Sequence, residues 1–464
     1  MNRKPAAAGE QTPLIRHDQH HVASSSSSSS PPPPPALLPS SCRRRSGLCA
    51  FFLDSKHTPG RESGSFAVRG LAHTWHVTKV TLLSNYVNFL LVFVPLGIVA
   101  GACKWNSTAV FTINFFAIIP LAAVLSFATE EISIKLGETM GGLLNATFGN
   151  AVELIVSIVA LKDGQIEVVQ SSMLGSILSN LLLVMGMCFL FGGIVHRGQN
   201  GEGTEQRFSS AVAQTTCSLM TLSSASLVIP AALYAVLTQN GSDEKLTSIL
   251  ILSRGTAIIL FLLYALYLVF QLRTHSNLFD PEDPPESATV EGAEEEGEIP
   301  SMSAPAAAAV LVVVTVLVAI CADYLVGSID DIVATAHISK AFLGMILIPI
   351  VGNAAEHVTA VVVALRDKMD LAMGVAIGSS IQIALGVTPF LVIVGWIIGQ
   401  PMSLHFETFQ TVAFAVSVLV VTYTVQDGRS NYLEGAMLLA LYIIIAVAFY
   451  ATPSDVMDNT WLNS

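Results

Sequence analysis

Two five-residue motifs place a carboxylate and an amide inside long apolar segments. Residues 149–153 read G-N-A-V-E and residues 352–356 read G-N-A-A-E. In each motif the Asn and the Glu are three positions apart, so on a helix they share one face. Brought together, two such faces would form an oxygen-only cage with two negative charges, which suits Ca²⁺ before Mg²⁺. The candidate cation ligands of these motifs are Asn150, Glu153, Asn353 and Glu356.

A G-S pair follows each motif at the same distance. The pairs stand at 175–176 and 378–379, each 26 residues after the glycine of its motif, and the two copies are 203 residues apart. On a helix each Ser shares a face with the residue three positions later, Ser179 in the first copy and Gln382 in the second. These side chains either supply oxygens to the same centre or form ordinary interhelical hydrogen bonds. The candidates are Ser176, Ser179, Ser379 and Gln382.

Two titratable residues near the motifs, His357 and Glu130, each have two possible roles. His357 directly follows Glu356, so it points about 100° away around the helix. It is either a structural hydrogen-bonding residue or, because imidazole titrates near neutral pH, part of a proton path. Glu130 ends an apolar span and is either an acid at a pore mouth or a solvated helix end. A carboxylate within an apolar span is costly and indicates function; neither motif offers a basic partner at helical spacing.

The elements that hold these residues are long apolar helices. Of the 464 residues, 52% are hydrophobic and only 12% are charged, about half the charged fraction of soluble domains. Runs of about twenty apolar residues recur, each long enough to cross a hydrocarbon core of about 30 Å. This predicts an all-α polytopic membrane protein and argues against a secreted scaffold, a nucleic-acid binder and a cytosolic enzyme. Eleven spans are predicted, near 82–100, 109–128, 139–161, 166–192, 211–238, 247–271, 304–325, 341–365, 370–398, 406–425 and 431–450.

The order of the spans predicts an inverted repeat. The two motifs lie in the third and eighth spans, an odd number apart, so they cross the membrane in opposite directions. The architecture is then one helix plus two inverted-topology five-helix repeats, as in many secondary transporters that bind substrate at the bilayer midplane. With the N-terminus in the cytosol, seven Lys and Arg near the spans fall on the cytosolic side and four outside. That distribution follows the positive-inside rule.

The chain is predicted to have six segments, three of them outside the membrane, and two of those three are strongly biased in composition. The N-terminal tail has runs of Ser and Pro that cannot build a core, and the acidic loop has nine acidic residues and one Arg. The loop either concentrates Ca²⁺ near the entrance, through Glu291, Glu294, Glu295, Glu296 and Glu298, or is a solvated linker. The segments are a disordered cytosolic tail (1–75), the first transmembrane helix (76–103), the first repeat (104–272), the acidic loop (273–303), the second repeat (304–450) and a C-terminal tail (451–464).

The motifs resemble the paired signature regions of the vacuolar calcium/cation:proton exchangers, a branch of the calcium:cation antiporter superfamily. The resemblance rests on G-N-A-V-E-L-I-V-S-I-V-A-L with G-S-I-L-S-N-L-L-L-V-M-G, and on G-N-A-A-E-H with G-S-S-I-Q. It covers residues 80–450, and E-G-A-E-E-E-G-E is similar to the acidic helix of that family. It implies a transporter, not an enzyme, without a cofactor, which moves Ca²⁺ or Mn²⁺ into the vacuole in exchange for H⁺. The implied site is Glu153 and Glu356, surrounded by Asn150, Asn353, Ser176, Ser379 and Gln382 and adjoined by His357.

Elementary electrostatics supports exchange independently of that resemblance. Two carboxylates and one Ca²⁺ sum to zero charge, whereas the empty site is a dianion that is costly to reorient in a low-dielectric region. Two protons restore neutrality. Protonation is favoured because the two carboxylates repel each other and because burial removes them from water. Ca²⁺ and protons would then compete for the same oxygens, with no nucleotide needed. The resemblance further implies a vacuolar multi-pass protein with its N-terminus and acidic loop in the cytosol.

Competing functions fit fewer of these features. A Na⁺/Ca²⁺ exchanger of the same superfamily would need additional sodium sites, and the G-N-x-x-E motif with His357 favours protons. A cation channel fits the composition, but matched acids in an inverted repeat favour alternating access. An intramembrane protease would need a catalytic pair such as H-E-x-x-H, which E-H-V-T-A does not supply. No partner is expected beyond Ca²⁺, H⁺ and the lipid bilayer, and the oligomeric state stays open.

Overall fold

Helices make up almost all of the architecture of the described residues. The computed structural model describes residues 65–196, 205–236, 242–276 and 301–452, all within the unit Phe51–Ser464. The predicted calcium-concentrating residues Glu291–Glu298, most of the N-terminal tail and nearly all of the C-terminal tail lie outside the described residues. Their predicted roles therefore stay predictions.

The first half of the chain forms nine α-helices and one short strand within the described ranges. They are α1 (Phe66–Leu83), a 3₁₀ segment (Tyr86–Val92), α2 (Phe93–Ala102), α3 (Ser107–Leu136), α4 (Glu138–Phe148), α5 (Ala151–Lys162), α6 (Ile166–Leu178), π1 (Ser179–Val184), α7 (Met185–Val195), β1 (Gln206–Arg207), α8 (Ser210–Val236), α9 (Ser242–Val269) and π2 (Phe270–Thr274), where π denotes a π-helical segment.

The second half repeats much of this order. Its elements are α10 (Ala304–Val326), α11 (Ile329–Ala336), α12 (Lys340–Phe342), π3 (Leu343–Leu347), α13 (Ile348–Gly352), α14 (Ala354–Leu365), α15 (Met369–Ile381), π4 (Gln382–Val387), α16 (Thr388–Ile398), α17 (Thr408–Thr424), β2 (Arg429–Ser430) and α18 (Tyr432–Ala451). The two strands pair antiparallel, Gln206 opposite Ser430, and so tie the loops after α7 and α17 together.

The helices are long and apolar enough for a polytopic membrane protein. Within the described ranges seven candidate spans are continuous, and three bent helix pairs raise the number to as many as ten. The predicted count of eleven therefore stays a prediction. The seven are Ser107–Leu136, Ile166–Val195, Val212–Tyr234, Leu246–Thr274, Ala304–Val326, Met369–Ile398 and Tyr432–Ala451.

The beginning of the described chain differs from the sequence-based segmentation. Helix α1 starts at Phe66, inside the predicted disordered tail of residues 1–75. The predicted first transmembrane helix, residues 76–103, is divided between α1 and the helical segment Tyr86–Ala102, which meet at a bend of 113°. A new helical segment starts at this bend, because the Asn85 side chain accepts a hydrogen bond from the Val87 amide, as an N-cap does.

Contacts between helix ends define two faces of the bundle. On one, here named the loop face, Lys135 donates to the Met302 carbonyl and the Asp370 carboxylate accepts from the Ser209 amide. On the other, named the opposite face, the Ser107 hydroxyl donates to Asp331. The acidic loop leaves and re-enters the bundle at the loop face, because α9 with π2 ends there and α10 begins there.

The two halves share their irregularities as well as their helices. Segments π1 and π4 begin at Ser179 and Gln382, which are 203 positions apart. The helix breaks at Asn150 and Asn353 have the same spacing. Local departures from the α-helix recur at equal spacing, so the inverted repeat read from the sequence is also present in the backbone. A continuous buried apolar core, including Leu121, joins the helices of both repeats.

Candidate cation site

Both G-N-x-x-E motifs interrupt a helix. Asn150 lies between α4 and α5 with φ −99° and ψ 26°, and Asn353 lies between α13 and α14 with φ −92° and ψ 7°. Glu153 and Glu356 each fall in the first turn of the helix that follows. The amino end of a helix carries partial positive charge, so each carboxylate sits where a buried negative charge is best tolerated. Half-helices that start at the midplane are a recurring way to build ion sites in transporters.

The glycine of each motif lies against the glutamate of the other repeat. A Cβ atom built on Gly352 would be 2.7 Å from Glu153 Oε1, and one built on Gly149 would be 3.9 Å from Glu356 Oε1. The predicted juxtaposition of the two motifs is therefore present in the structure. Neither glycine has room for a side chain, because a Cβ on Gly352 would meet the Glu153 carboxylate and one on Gly149 would be 2.8 Å from the Asn145 carbonyl oxygen.

A chain of hydrogen bonds crosses between the repeats beside these carboxylates. Asn180 Nδ2 donates to Ser379 Oγ at 3.0 Å, and Ser379 Oγ donates to Asn150 Oδ1 at 2.9 Å. Asn150 Nδ2 in turn donates to Gln382 Oε1 at 2.7 Å. Each bond joins a first-repeat amide to a second-repeat oxygen atom. The chain fixes Asn150 Oδ1 and Gln382 Oε1 as acceptors, so the sequence-predicted residues form ordered interhelical hydrogen bonds here.

Several other polar atoms at this place have no hydrogen-bond partner among the described residues. Buried polar atoms are nearly always hydrogen-bonded, and a cluster of exceptions indicates a bound ion or other polar group. The exceptions are Glu153 Oε1 and Oε2, Glu356 Oε2, Asn353 Oδ1 and Nδ2, and Asn180 Oδ1. Five of these six atoms are oxygens, and three of the oxygens belong to carboxylates. The arrangement therefore presents carboxylate and amide oxygens without hydrogen-bond partners where the two repeats meet.

His357 contacts a different residue from the carboxylates. Its Nε2 atom is 3.1 Å from Ser179 Oγ, at the start of π1, and the imidazole is buried. Ser179 is thus engaged with the histidine, and Ser176 is buried nearby in α6. The structure places His357 at the junction of the two repeats, one hydrogen bond from π1.

Glu130, the acid predicted at a pore mouth, lies in the last two turns of α3. Glu130 is exposed there, and its role as a mouth acid stays a prediction. Its neighbour Glu131 is buried, and its two carboxylate oxygens accept hydrogen bonds from the amides of Ser301 and Met302, each at 3.0 Å. Glu131 therefore anchors the end of the acidic loop to α3.

Sequence reasoning missed Asn180. Its side chain is fully buried, donates to Ser379 and keeps an unpartnered Oδ1. The 203-residue spacing pairs Asn180 with Ile383, so the search for matched polar positions passed over it. The available signal was the amide itself, a polar side chain directly between Ser179 and the apolar run Leu181–Val184.

The donor set decides which ions the site could hold. The described residues contain no group of three or more His, Cys, Asp or Glu arranged to bind a metal. Two carboxylates with amide and hydroxyl oxygens match a hard divalent cation. Because the same carboxylates can be neutralised by protons, the arrangement can also exchange one kind of cation for another.

The fold is an inverted helical repeat, and each copy places one carboxylate in the first turn of a helix at the centre of the bundle. This architecture is that of a polytopic cation transporter. The sodium/calcium exchanger protein family model matches residues 106–273 and 306–451. This chain belongs to that family.

Individual relatives agree with this assignment. The chain is 53% identical to the vacuolar calcium ion transporter of Schizosaccharomyces pombe, over 81% of this chain and 87% of that protein. It is 45% identical to the Ca²⁺/H⁺ antiporter of Aphanothece halophytica, over 78% of this chain and 96% of that protein. The solved structure of native YfkE is similar with a TM-score of 0.64 and 35% identity, covering 79% of this chain and all of that one.

Proposed function

We propose that this chain is a secondary active antiporter that moves Ca²⁺ across a membrane in exchange for H⁺. The observation that carries the proposal is the cluster of buried, unpartnered oxygens at the junction of the two repeats, which includes both oxygens of Glu153 and one of Glu356. Relatives named as a Ca²⁺/H⁺ antiporter and a vacuolar calcium ion transporter support protons over sodium as the counter-ion.

In this proposal the primary ligands are the carboxylates of Glu153 and Glu356. Asn353 Oδ1 and Asn180 Oδ1 supply neutral oxygens, and Asn150, Ser176, Ser379 and Gln382 complete the surroundings. Ca²⁺ accepts six to eight oxygen ligands in irregular geometry, so a mixed cage of carboxylates, amides and hydroxyls suits it.

Coupling follows from charge neutrality at the centre of the bundle. The loaded site is neutral with one Ca²⁺ and again neutral with two protons, whereas the empty dianion is strongly disfavoured in a low-dielectric environment. Only the two neutral forms would reorient readily between the two sides. The site therefore exchanges ions and hardly leaks, and the pH gradient drives Ca²⁺ against its own gradient.

His357 is proposed to assist proton movement. It lies within hydrogen-bond distance of Ser179 and adjoins Glu356 in the chain, and imidazole can accept and release a proton near neutral pH. The chain is further proposed to reside in the vacuolar membrane, as the names of the relatives suggest, with its loop face toward the cytosol.

The decisive experiment measures Ca²⁺ uptake into sealed proteoliposomes with an acidic interior. We expect Glu153→Gln and Glu356→Gln each to abolish uptake, because the amide keeps the shape but leaves a divalent ion under-compensated by one charge. Glu205→Gln is the matched control, since Glu205 pairs with Arg429 at the surface, and it should transport normally. Wild-type rates in either site variant would refute the two-carboxylate site.

A further inference from the structure

The two repeats have matched sequences but differ in how tightly their helices pack. On the opposite-face side of the site, α6 lies directly against π3. A Cβ atom built on Gly175 would be 2.3 Å from the Met345 carbonyl oxygen, and one built on Gly344 would be 2.7 Å from Ser171 Cβ. Only glycine permits such an approach, so the backbones of the two repeats are in contact here and the path to that face is closed.

The 203-residue spacing identifies the equivalent positions in the other half. Gly175 corresponds to Gly378, Ser171 to Gly374 and Met345 to Gly142. Gly374 and Gly378 have no neighbouring atom within 4 Å of the place where a Cβ would lie. The contact that closes one side of the site is therefore not formed by its counterparts, and α15 stands open toward the loop face.

Gly142 is instead covered by the last residue of the first repeat. A Cβ built on it would be 2.5 Å from Leu272 Cδ2. Leu272 belongs to π2, the last helical segment before the acidic loop. The side chain of Leu272 thus fills the surface of α4 that, by the symmetry of the repeats, would receive Gly378 of α15.

We propose that Leu272 is a wedge that holds α4 away from α15 and so keeps the loop-face path open. Closing that path requires Gly142 to meet Gly378 as Met345 meets Gly175, and Leu272 must leave first. This inference rests on the proposed antiport function, in which the two paths open in turn.

The test measures how accessible the loop-face path is to water by labelling a cysteine at position 374, where a side chain has room. Gly374→Cys is introduced into a chain whose six native cysteines are replaced by alanine, and the rate of labelling with a water-soluble maleimide is measured in proteoliposomes. Leu272→Ala should slow labelling at least severalfold, because the path then closes more often. Leu266→Ala, which removes an exposed leucine of α9, is the matched control and should leave the rate unchanged.

Two further outcomes keep the inference separate from the proposed function. Leu272→Met keeps the volume of the wedge, so it should be labelled at the same rate as the Gly374→Cys chain that retains Leu272. It also controls for a folding defect in Leu272→Ala. If labelling slows in Leu272→Ala while no variant exchanges Ca²⁺ for H⁺, the wedge stands and the proposed function fails. If exchange is intact but Leu272→Ala and Leu266→Ala label at equal rates, the wedge is refuted.

Discussion

Gly352 shows how a missing side chain makes room for the buried carboxylate of the other repeat. The glycine Cα lies so close to Glu153 that a Cβ would be 2.7 Å from Oε1, 3.2 Å from Cδ and 3.4 Å from Cγ. Glu153 is itself buried without a hydrogen-bond partner among the described residues, so steric contact contributes directly to its position.

We therefore predict that Gly352→Ala displaces the Glu153 carboxylate and weakens Ca²⁺ binding. Loss of one well-placed ligand should raise the apparent KM for Ca²⁺ about tenfold or more, about 1.4 kcal/mol of binding free energy. The measurement is the Ca²⁺ dependence of uptake in proteoliposomes. Gly255→Ala is the control, because no atom lies within 4 Å of its added Cβ. An unchanged KM in Gly352→Ala would show that Glu153 relaxes without loss.

At the scale of the elements, the opposite face carries a polar latch between the two repeats. Lys340, at the start of α12, forms an ion pair of 2.7 Å with Asp330 and donates to Gln165 Oε1 at 3.0 Å. Gln165 also donates to Asp330 at 2.9 Å. The latch lies at the end of the closed contact between α6 and π3. By the 203-residue spacing its counterparts are Gly137, Phe127 and Lys368, which cannot form the same arrangement.

The latch should be insensitive to moderate acidity. The hydrogen bond and charge of Lys340 hold the pKa of the Asp330 carboxyl below its ordinary value, and Gln165 adds to this effect. A depressed pKa in the folded state means that the stabilisation is complete above the ordinary pKa of about 3.9 and is lost as pH falls through the depressed value. An acidic compartment at pH above that range therefore leaves the latch formed.

We predict that Lys340→Ala lowers the thermal unfolding midpoint of the purified protein by a small amount, because an exposed ion pair contributes about 0.2–1 kcal/mol. The difference from the unsubstituted chain should be constant above pH about 4 and shrink below it. Lys162→Ala, at an exposed lysine of the same face, provides the baseline. A difference that instead grows as pH falls would contradict the assigned direction of the Asp330 pKa.

The sequence predicted the elements of the site better than their details. Equal spacing of G-N-x-x-E and G-S was enough to predict an inverted repeat and the approach of the two motifs. The π-helical segments at Ser179 and Gln382 could not be predicted, because an extra residue in a helical turn leaves no periodic signature in an apolar run. Asn180 was missed for a related reason, since a search for symmetry discards any residue that only one repeat carries.

At the scale of the whole molecule, the sequence could not reveal which side of the site is closed. The two repeats carry the same G-N-x-x-E and G-S motifs at equal spacing, and a transporter must adopt both arrangements with one sequence. The tight contact at Gly175 and the open surroundings of Gly378 are properties of one conformation. Only the three-dimensional structure distinguishes these two surroundings. It also shows their different neighbours, Leu272 on one side and the Lys340 latch on the other.

The coupling ion is a property of the complete molecule in a membrane, and it gives the last prediction. If protons occupy the same carboxylates as Ca²⁺, acidifying the side from which Ca²⁺ is loaded should raise the apparent KM for Ca²⁺ competitively. The maximal rate should change much less, because saturating Ca²⁺ displaces the protons. Acidifying the other side should accelerate uptake, since protons there release the ion and neutralise the returning site.

These effects can be measured as Ca²⁺ flux in sealed vesicles, with a proton ionophore to collapse the pH gradient. The ionophore should abolish uptake, and a sodium gradient at fixed pH should have no effect. Glu205→Gln, the surface control that keeps both site carboxylates, should show the same competition and acceleration as the unsubstituted chain. Uptake that survives collapse of the pH gradient and follows sodium would instead assign sodium as the counter-ion, because the empty dianion then has another cation to neutralise it.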